Sequence, residues 1–204
     1  MNKIDVTKYS EVYVSYSSEQ TRQRIIESAK KEFLDKGFSG ASMRSIASNS
    51  KATTGALYNY YKNKEDLFAA VVKETTDTFL KIYEDTHKFP LSDESEDDYN
   101  KNTNKILSYL YDHFTEFKII FCCSGGTEYE NYSDRLIEIE ESAYRKILGA
   151  QAEADAFFLH VICGDGLRDL QELVAHDVPR NQAEAYMEKL ERFRHAGWRE
   201  VIGR

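Results

Sequence analysis

The sequence predicts an all-α protein, and three observations support this. The chain of 204 residues contains only two prolines and ten glycines, fewer than strands joined by tight turns require. Apolar residues recur at helical spacing, and capping residues precede several of these segments. With 41% hydrophobic and 30% charged residues, the composition is ordinary for a globular chain. The apolar runs are far shorter than the ~20 residues of a membrane helix, and no secretory signal is recognisable, so we expect a cytoplasmic protein.

The first helix is expected to follow a short arm. Residues 1–16 are polar, tyrosine-rich and without helical period, which predicts a flexible N-terminal arm. Ser17 and Gln20 then match a capping box, so the first helix should span about 18–36. Gly37 is expected to end it.

Polar capping residues divide the following segment into further helices. The expected caps are Ser42 for a short helix ending near Ser50, Thr53 or Thr54 for a second short helix to Tyr61, and Asn63 for a long helix to about residue 87. After an acidic connection over residues 89–104, apolar periodicity predicts helices within 104–123 and at about 127–149, 153–175 and 180–202. The prediction is about nine helices.

The net charge of −8 is distributed unevenly along the chain. Residues 17–64 hold nine Lys and Arg against four Asp and Glu, a net charge of +5, whereas residues 65–204 carry −13. This asymmetry indicates a basic module, the head (17–64), joined to an acidic body (65–204). Chance clustering would give the same pattern.

Residues 42–64 predict a helix-turn-helix. A short helix, a tight turn and a second helix of about seven residues fit this arrangement, and the second helix has the right size for a DNA major groove. Small residues occupy the N-terminal turn of that helix: Thr53, Thr54, Gly55 and Ala56. They allow its amides to approach base edges and phosphates, while the tyrosines and lysines that follow are groups that contact phosphates. The alternative is a plain three-helix bundle with a polar surface.

The segment TTGALYNYYKNKEDL resembles the recognition-helix signature of the TetR/AcrR family of transcriptional regulators, and RIIESAKKEFLDKGFSGASMRSIA resembles that family's first two helices. The resemblance covers about residues 21–68. It implies a homodimer that binds a palindromic operator in double-stranded DNA, acts as a repressor and is released by a small-molecule inducer, with neither enzymatic activity nor cofactor. The residues expected at the DNA are Ser42, Arg44, Thr53, Thr54, Gly55, Ala56, Tyr58, Asn59, Tyr60 and Lys64.

Two positions depart from the family's pattern. Lys51 stands where the family usually has the turn glycine, so it must either adopt a positive φ or reshape the turn. Tyr61 stands where phenylalanine is usual, which adds a hydroxyl near the edge of the core.

The family's layout and an aromatic content of 13% favour a ligand pocket in the body. The candidate lining residues are Tyr83, Tyr109, Phe114, Phe121, Tyr132 and His160. Each aromatic residue has plain core packing as its alternative, and His160 has the role of a buried, hydrogen-bonded histidine. The expected ligand is an aromatic or lipophilic small molecule.

The last two helices are expected to pair with their twofold mates in a four-helix dimer interface. The candidate interface residues are Phe157, Val161, Gly164, Leu190, Phe193 and Gly197. Inducer binding is expected to tilt the long helix over 64–87 and so change the spacing of the two recognition helices.

Two other functions stay open. One is a helical binding module that acts only through protein partners, which the departure at Lys51 favours. The other is a redox sensor centred on Cys122 and Cys123, although cysteines in an apolar run are usually small core residues. Glu84 and His87 form a single Glu-x-x-His unit, which is too little for a di-iron site, so no metal is expected.

Overall fold

The computed structural model describes the backbone of residues 6–87, 96–149 and 156–202, and within these ranges it contains nine α-helices and no strand. In chain order they are α1 (Val6–Gly40), α2 (Met43–Asn49), α3 (Thr54–Tyr60), α4 (Lys64–Thr86), α5 (Glu96–Asp112), α6 (Phe114–Cys123), α7 (Tyr132–Leu148), α8 (Ala156–Ala175) and α9 (Arg180–Ile202). The predicted all-α fold is confirmed. Among the described residues, none of the helices has the length and apolar character needed to cross a membrane.

The first helix is longer than predicted. α1 begins at Val6 and continues through Ser17, so the expected capping box is wrong, and so is the expected flexible arm for residues 6–16. Residues 1–5 lie outside the described part of the chain. The physical reason is that residues 6–16 contain neither proline nor glycine, so nothing in this stretch stops a helix. Gly37 breaks the helical geometry as predicted, with φ 66° and ψ 172°.

The three predicted caps of the next helices are confirmed. Each cap side chain accepts a hydrogen bond from the backbone N–H three residues later: Ser45 N to Ser42 Oγ at 3.4 Å, Ala56 N to Thr53 Oγ1 at 3.1 Å, and Asp66 N to Asn63 Oδ1 at 2.7 Å. A cap of this kind stabilises a helix by about 1 kcal/mol. The starts of α2, α3 and α4 are therefore encoded locally.

The acidic connection is shorter than predicted. Residues 88–95 lie outside the described part of the chain, but α5 already includes residues 96–104, which were expected to be a solvated connection.

The helix expected over 153–175 is described from Ala156 onward, and the helix predicted over 180–202 is confirmed as α9.

The core of the molecule runs without interruption from the head into the body. At the boundary of the two parts, Phe33 of the head and Phe68 of α4 are fully buried and meet edge to face at 5.0 Å between ring centroids. In the body, Phe79 on α4 is fully buried and packs against Phe117 on α6 at 4.7 Å. α6 lies against both α1 and α8, so it bridges the two parts.

Candidate nucleic-acid interface

The turn between α2 and α3 carries an unusual backbone conformation at Lys51. Its φ is 58°, so of the two predicted possibilities the structure adopts the positive φ. A non-glycine residue in this left-handed region costs roughly 1–2 kcal/mol. The turn is held by backbone hydrogen bonds from Lys51 N to Ser48 O at 3.2 Å and from Ala52 N to Ala47 O at 3.0 Å. The helix-turn-helix is therefore present without the glycine.

One face of α3 is buried and the other is open to solvent. Leu57 is fully buried and anchors the helix in the head, whereas Thr53, Thr54 and Gly55 are exposed and Ala56 is partly buried. Tyr58 is 49% exposed, and Asn59 is exposed beside it. The predicted DNA-reading residues thus lie together on the solvent side of α3.

Gly55 has no structural reason within the chain to be glycine. A Cβ added at this position would meet no atom within 4 Å, and its φ is not positive. Glycine in a helix is up to ~1 kcal/mol less favourable than alanine. Nothing in the described part of the chain therefore requires glycine at this position.

Two expected phosphate contacts are engaged inside the protein. The Tyr60 hydroxyl lies 2.9 Å from Ser18 Oγ and donates to the carbonyl of Ser18 at 3.2 Å. Lys64 Nζ donates to the carbonyls of Ser39 and Ala41, both at 3.1 Å, and lies over the Phe38 ring at 4.6 Å. Tyr60 therefore ties α3 to α1 at Ser18, and Lys64 ties α4 to the C-terminal end of α1.

The start of α2 depends on a buried carboxylate, Glu32, that the sequence prediction missed. Its oxygens accept hydrogen bonds from Lys36 Nζ at 2.7 Å, Ser45 Oγ at 2.8 Å and the backbone N–H of Ser42 at 3.2 Å. Burial alone would raise the pKa of Glu32, but these three hydrogen bonds outweigh it and lower the pKa below its ordinary value. Its burial could have been predicted from the sequence, because Glu32 lies seven residues after Ile25 and therefore on the same face of α1.

Ser42 and Arg44, the expected contacts at the start of α2, are both exposed. Arg22 and Arg24 on α1 are also exposed. They follow Ser18, whose carbonyl accepts a hydrogen bond from Tyr60 of α3. These two arginines were not among the predicted DNA contacts. Both belong to the excess of positive charge in the head.

The five aromatic residues predicted to line the pocket fall into three groups. Tyr83, Tyr109 and Phe121 belong to one aromatic cluster, which they form with Phe79 and Phe117. Tyr132 is buried, and its hydroxyl donates to the carbonyl of Thr76 at 3.0 Å. Phe114 packs against Tyr111 outside this cluster.

His160 does not occupy the environment expected of it. Its side chain is exposed and its Nδ1 lies 2.8 Å from Glu141 Oε1, so it is neither buried nor part of the aromatic cluster. The reason is the register of α8, in which Leu159 and Cys163 turn inward instead.

A second buried carboxylate, Glu140, lies beside the aromatic cluster. The Tyr83 hydroxyl donates to Glu140 Oε2 at 2.8 Å, and burial raises the pKa of both groups. Ile139 is only partly buried, so the buried face of α7 passes through Glu140 instead. The buried residues of α7 follow a spacing of four: Tyr132, Leu136, Glu140 and Tyr144.

The outer faces of α8 and α9 expose large apolar side chains. Phe157 is 81% exposed and Phe193 is 76% exposed, with Val161 exposed near them. A groove of about 370 Å³ between these helices includes Leu190, Phe193 and Gly197 in its lining. A second cavity of about 560 Å³ lies on the head, between α1 and the turn at Lys51. Neither of these two cavities is lined by a predicted pocket residue.

Comparison with known proteins identifies relatives for the N-terminal part of the chain. A family model described as "Bacterial regulatory proteins, tetR family" matches residues 25–71. HTH-type transcriptional regulators of Staphylococcus aureus strains USA300 and NCTC 8325 are 30% identical over 102 residues, which is 50% of this chain and 50% of each relative. The match therefore spans about half the length of these curated relatives.

Solved structures extend the likeness to the fold of the whole chain. A TetR-like transcriptional regulator from Rhodococcus sp. RHA1 has a TM-score of 0.60 at 19% identity, covering 90% of this chain and 97% of that one. FadR from Bacillus subtilis, in complex with stearoyl-CoA, has a TM-score of 0.54 at 16% identity, covering 84% and 96%. At these identities the likeness concerns the fold alone. This chain is therefore similar to tetR-family regulators over residues 25–71, and it shares the helical fold of these solved regulators.

Proposed function

We propose that this protein is a ligand-responsive repressor that binds a palindromic operator as a homodimer and leaves it when a small-molecule inducer binds. The observation that carries the proposal is the solvent face of α3, which presents small and polar residues around Gly55. Because glycine there serves no packing need, close approach by a DNA groove explains it best.

The contacts are assigned by exposure. Thr53, Thr54, Gly55 and Ala56 would approach base edges, since they form the N-terminal turn of α3. Tyr58, Asn59, Ser42 and Arg44 would contact the flanking phosphates and bases. Tyr60 and Lys64 remain candidates for phosphate contact. Their intramolecular bonds also support a second role, which is to hold α3 and α4 in position.

The homodimer would form through α8 and α9. A phenylalanine exposed as fully as Phe157 or Phe193 is costly in water, and Phe193 lines the groove between the two helices. Gly164 and Gly197 have no atom within 4 Å of an added Cβ, so both leave room for a helix from a second copy. A twofold axis through this face would set a fixed distance between the two α3 helices.

The inducer would bind at the aromatic cluster of the body. This cluster offers apolar walls, and Tyr109 is only partly buried within it, which suits an aromatic or lipophilic molecule. FadR of Bacillus subtilis, which has the same fold, holds stearoyl-CoA, so a lipophilic ligand is compatible with this architecture.

Release from DNA would follow from displacement of α4. Phe79 and Tyr83 of α4 belong to the aromatic cluster, while Lys64 at its other end is bonded to the end of α1. A ligand that pushes Phe79 or Tyr83 would therefore tilt α4 and move the head. Because the two α3 helices of the dimer must contact both operator half-sites at once, a modest change in the distance between them would break several contacts.

The test is selection from a pool of random double-stranded DNA on purified protein. We expect a palindrome whose binding weakens steeply as salt rises, because several phosphates are neutralised. Tyr58→Ala with Asn59→Ala should abolish the enrichment. Lys73→Ala with Asp77→Ala, an exposed pair on α4 bonded at 2.8 Å, is the matched control and should leave it intact.

Gly55→Ala separates folding from recognition. An added methyl group meets nothing inside the protein and favours the helix, so thermal stability should be unchanged or higher while operator affinity falls at least tenfold. Phe157→Glu with Phe193→Glu should yield a monomer with weakened operator binding. Absence of any enriched sequence, or full affinity in Gly55→Ala, would refute operator recognition by α3.

A further inference from the structure

Two adjacent free thiols lie at the end of α6. Cys122 and Cys123 are its last two residues; Cys122 is exposed, contrary to the expected core position, and Cys123 is partly exposed. The third cysteine, Cys163, is buried in α8. The proposed function uses none of them.

The environment of the pair argues against thiolate chemistry. Burial raises the pKa of the Cys122 thiol, and the nearby Lys118 offsets this only in part. Burial also raises the pKa of Cys123, and the neighbouring Cys122 adds to the rise, as two sulfurs close together would. Both groups are therefore protonated thiols at neutral pH. This disfavours the redox-sensor alternative, since the thiolate is the species that reacts with oxidants.

We propose that Cys122 and Cys123 form a two-sulfur binding site for trivalent arsenicals. An arsonous acid, R–As(OH)₂, has two hydroxyl groups that thiols displace. Two As–S bonds form and two As–O bonds break, while each thiol proton leaves with a hydroxide as water. No electron is transferred, so no oxidant or reductant is needed. Protonated thiols are competent in this exchange because they supply the protons that the two waters carry away.

The number of protein ligands at this site favours a trivalent arsenical over a divalent metal. Protein zinc sites usually need three or four protein ligands, and within the described residues no group of three His, Cys, Asp or Glu side chains comes together as such a site requires. A trivalent arsenic that already carries one organic substituent needs only two protein sulfurs. The pair at the end of α6 supplies exactly that number without a third residue.

The end of a helix is the place where adjacent thiols can converge. Successive side chains on an α-helix point about 100° apart, so bridging requires some unwinding. Cys123 is followed directly by the C-cap Ser124 and by Gly126, whose φ is 86°. Helix ends fray readily, so this adjustment leaves the rest of α6 intact.

The position of the pair also connects it to the head. A Cβ at Gly126 would lie 3.8 Å from Ser39 Oγ and 3.9 Å from the Phe38 ring, so this turn adjoins the end of α1. Unwinding at Cys123 would move that turn first. We therefore expect arsenical binding to disturb the contact between this turn and the end of α1. The thiol site itself does not depend on operator binding.

The experiment uses phenylarsine oxide on the purified full-length protein, with intact mass and titration of free thiols as readouts. Wild type should gain one phenylarsenic group and lose two titratable thiols, and a small dithiol, but not a monothiol, should reverse both changes. Cys122→Ser and Cys123→Ser should each weaken binding at least tenfold, because chelation is lost. Cys163→Ser is the matched control and should bind like wild type.

Three results would overturn the site: no loss of thiols in the wild type, undiminished binding in either single variant, or loss of binding in Cys163→Ser. None of these readouts involves DNA, so failure here is distinguishable from failure of the proposed function. Cys122→Ser with Cys123→Ser should retain operator binding in the absence of the arsenical.

Discussion

Glu32 in the head and Glu140 in the body are both buried carboxylates, and their surroundings are opposite. Glu32 accepts three hydrogen bonds, one of them from the cation of Lys36, and its pKa is lowered. Glu140 accepts one hydrogen bond, from the neutral hydroxyl of Tyr83, and its pKa is raised. The partners of Glu32 lie within 13 residues of it, whereas Tyr83 lies 57 residues from Glu140.

The difference indicates how each part is held together. In the head, charge-assisted and capping hydrogen bonds fix short helices whose apolar content is small. In the body, stability comes from aromatic packing between helices that are distant in sequence. The two parts should therefore respond differently to core truncation, to loss of a carboxylate and to pH.

The largest effect is expected for Phe79→Ala in the body. Phe79 is fully buried and contacts Phe117, Tyr83 and Tyr109, so its removal leaves a cavity in the centre of the aromatic cluster. The free energy of unfolding, measured with urea, should fall by about 3–5 kcal/mol. Tyr58→Ala, at an exposed position of the head, is the control and should change it by at most about 0.5 kcal/mol. A loss below about 1 kcal/mol for Phe79→Ala would contradict this account of the body.

Glu32→Gln should have the next largest effect, and it tests the head. The amide removes the negative charge that Lys36 and the start of α2 require, so we expect a loss of about 1–3 kcal/mol at pH 7. The pKa of Glu32 is lowered in the folded state, so its contribution is present above the ordinary value of 4.5 and is lost as the pH falls through the lowered value. Wild type and variant should therefore converge in acid. Equal stability at pH 7 would show that the carboxylate does not hold α2.

Glu140→Gln should have a smaller effect of the opposite sign. Glutamine keeps an oxygen for the Tyr83 hydroxyl and removes a buried charge. Because the folded pKa of Glu140 is raised, wild-type stability is greatest below the ordinary value of 4.5 and declines as the pH rises through the raised value. The variant should lack this decline and be more stable than wild type at pH 7. Unfolding curves at pH 4 and pH 8 check this, and parallel behaviour of both proteins would refute it.

The same contrast explains what could be predicted from the sequence. The caps at Ser42, Thr53 and Asn63 were predictable because each signal lies within four residues of its effect. The burial of Glu140 on α7 could not be predicted, because Ile139 and Glu140 both fit a helical period and only the packed partner Tyr83 decides between them. The N-terminal extension of α1 was missed because a capping motif was given more weight than the absence of any helix-breaking residue before it.

The smallest predicted effect concerns Lys51, whose positive φ is unfavourable for a residue other than glycine. Replacing it with glycine relieves about 1–2 kcal/mol of strain at φ 58°, but glycine also makes the unfolded chain more flexible, which costs roughly 0.5–1 kcal/mol. Lys51→Gly should therefore gain up to about 1.5 kcal/mol in the free energy of unfolding. Lys51→Ala removes the same charge without relieving the strain and should leave stability nearly unchanged.

The pair of Lys51 variants also separates shape from charge at the turn. If both lose operator affinity equally, the ammonium group contacts phosphate. If Lys51→Gly alone differs from wild type in affinity, the backbone at this turn sets the angle of α3. A gain in stability for Lys51→Ala equal to that for Lys51→Gly would contradict the strain itself, since alanine suffers the same steric conflict at a positive φ.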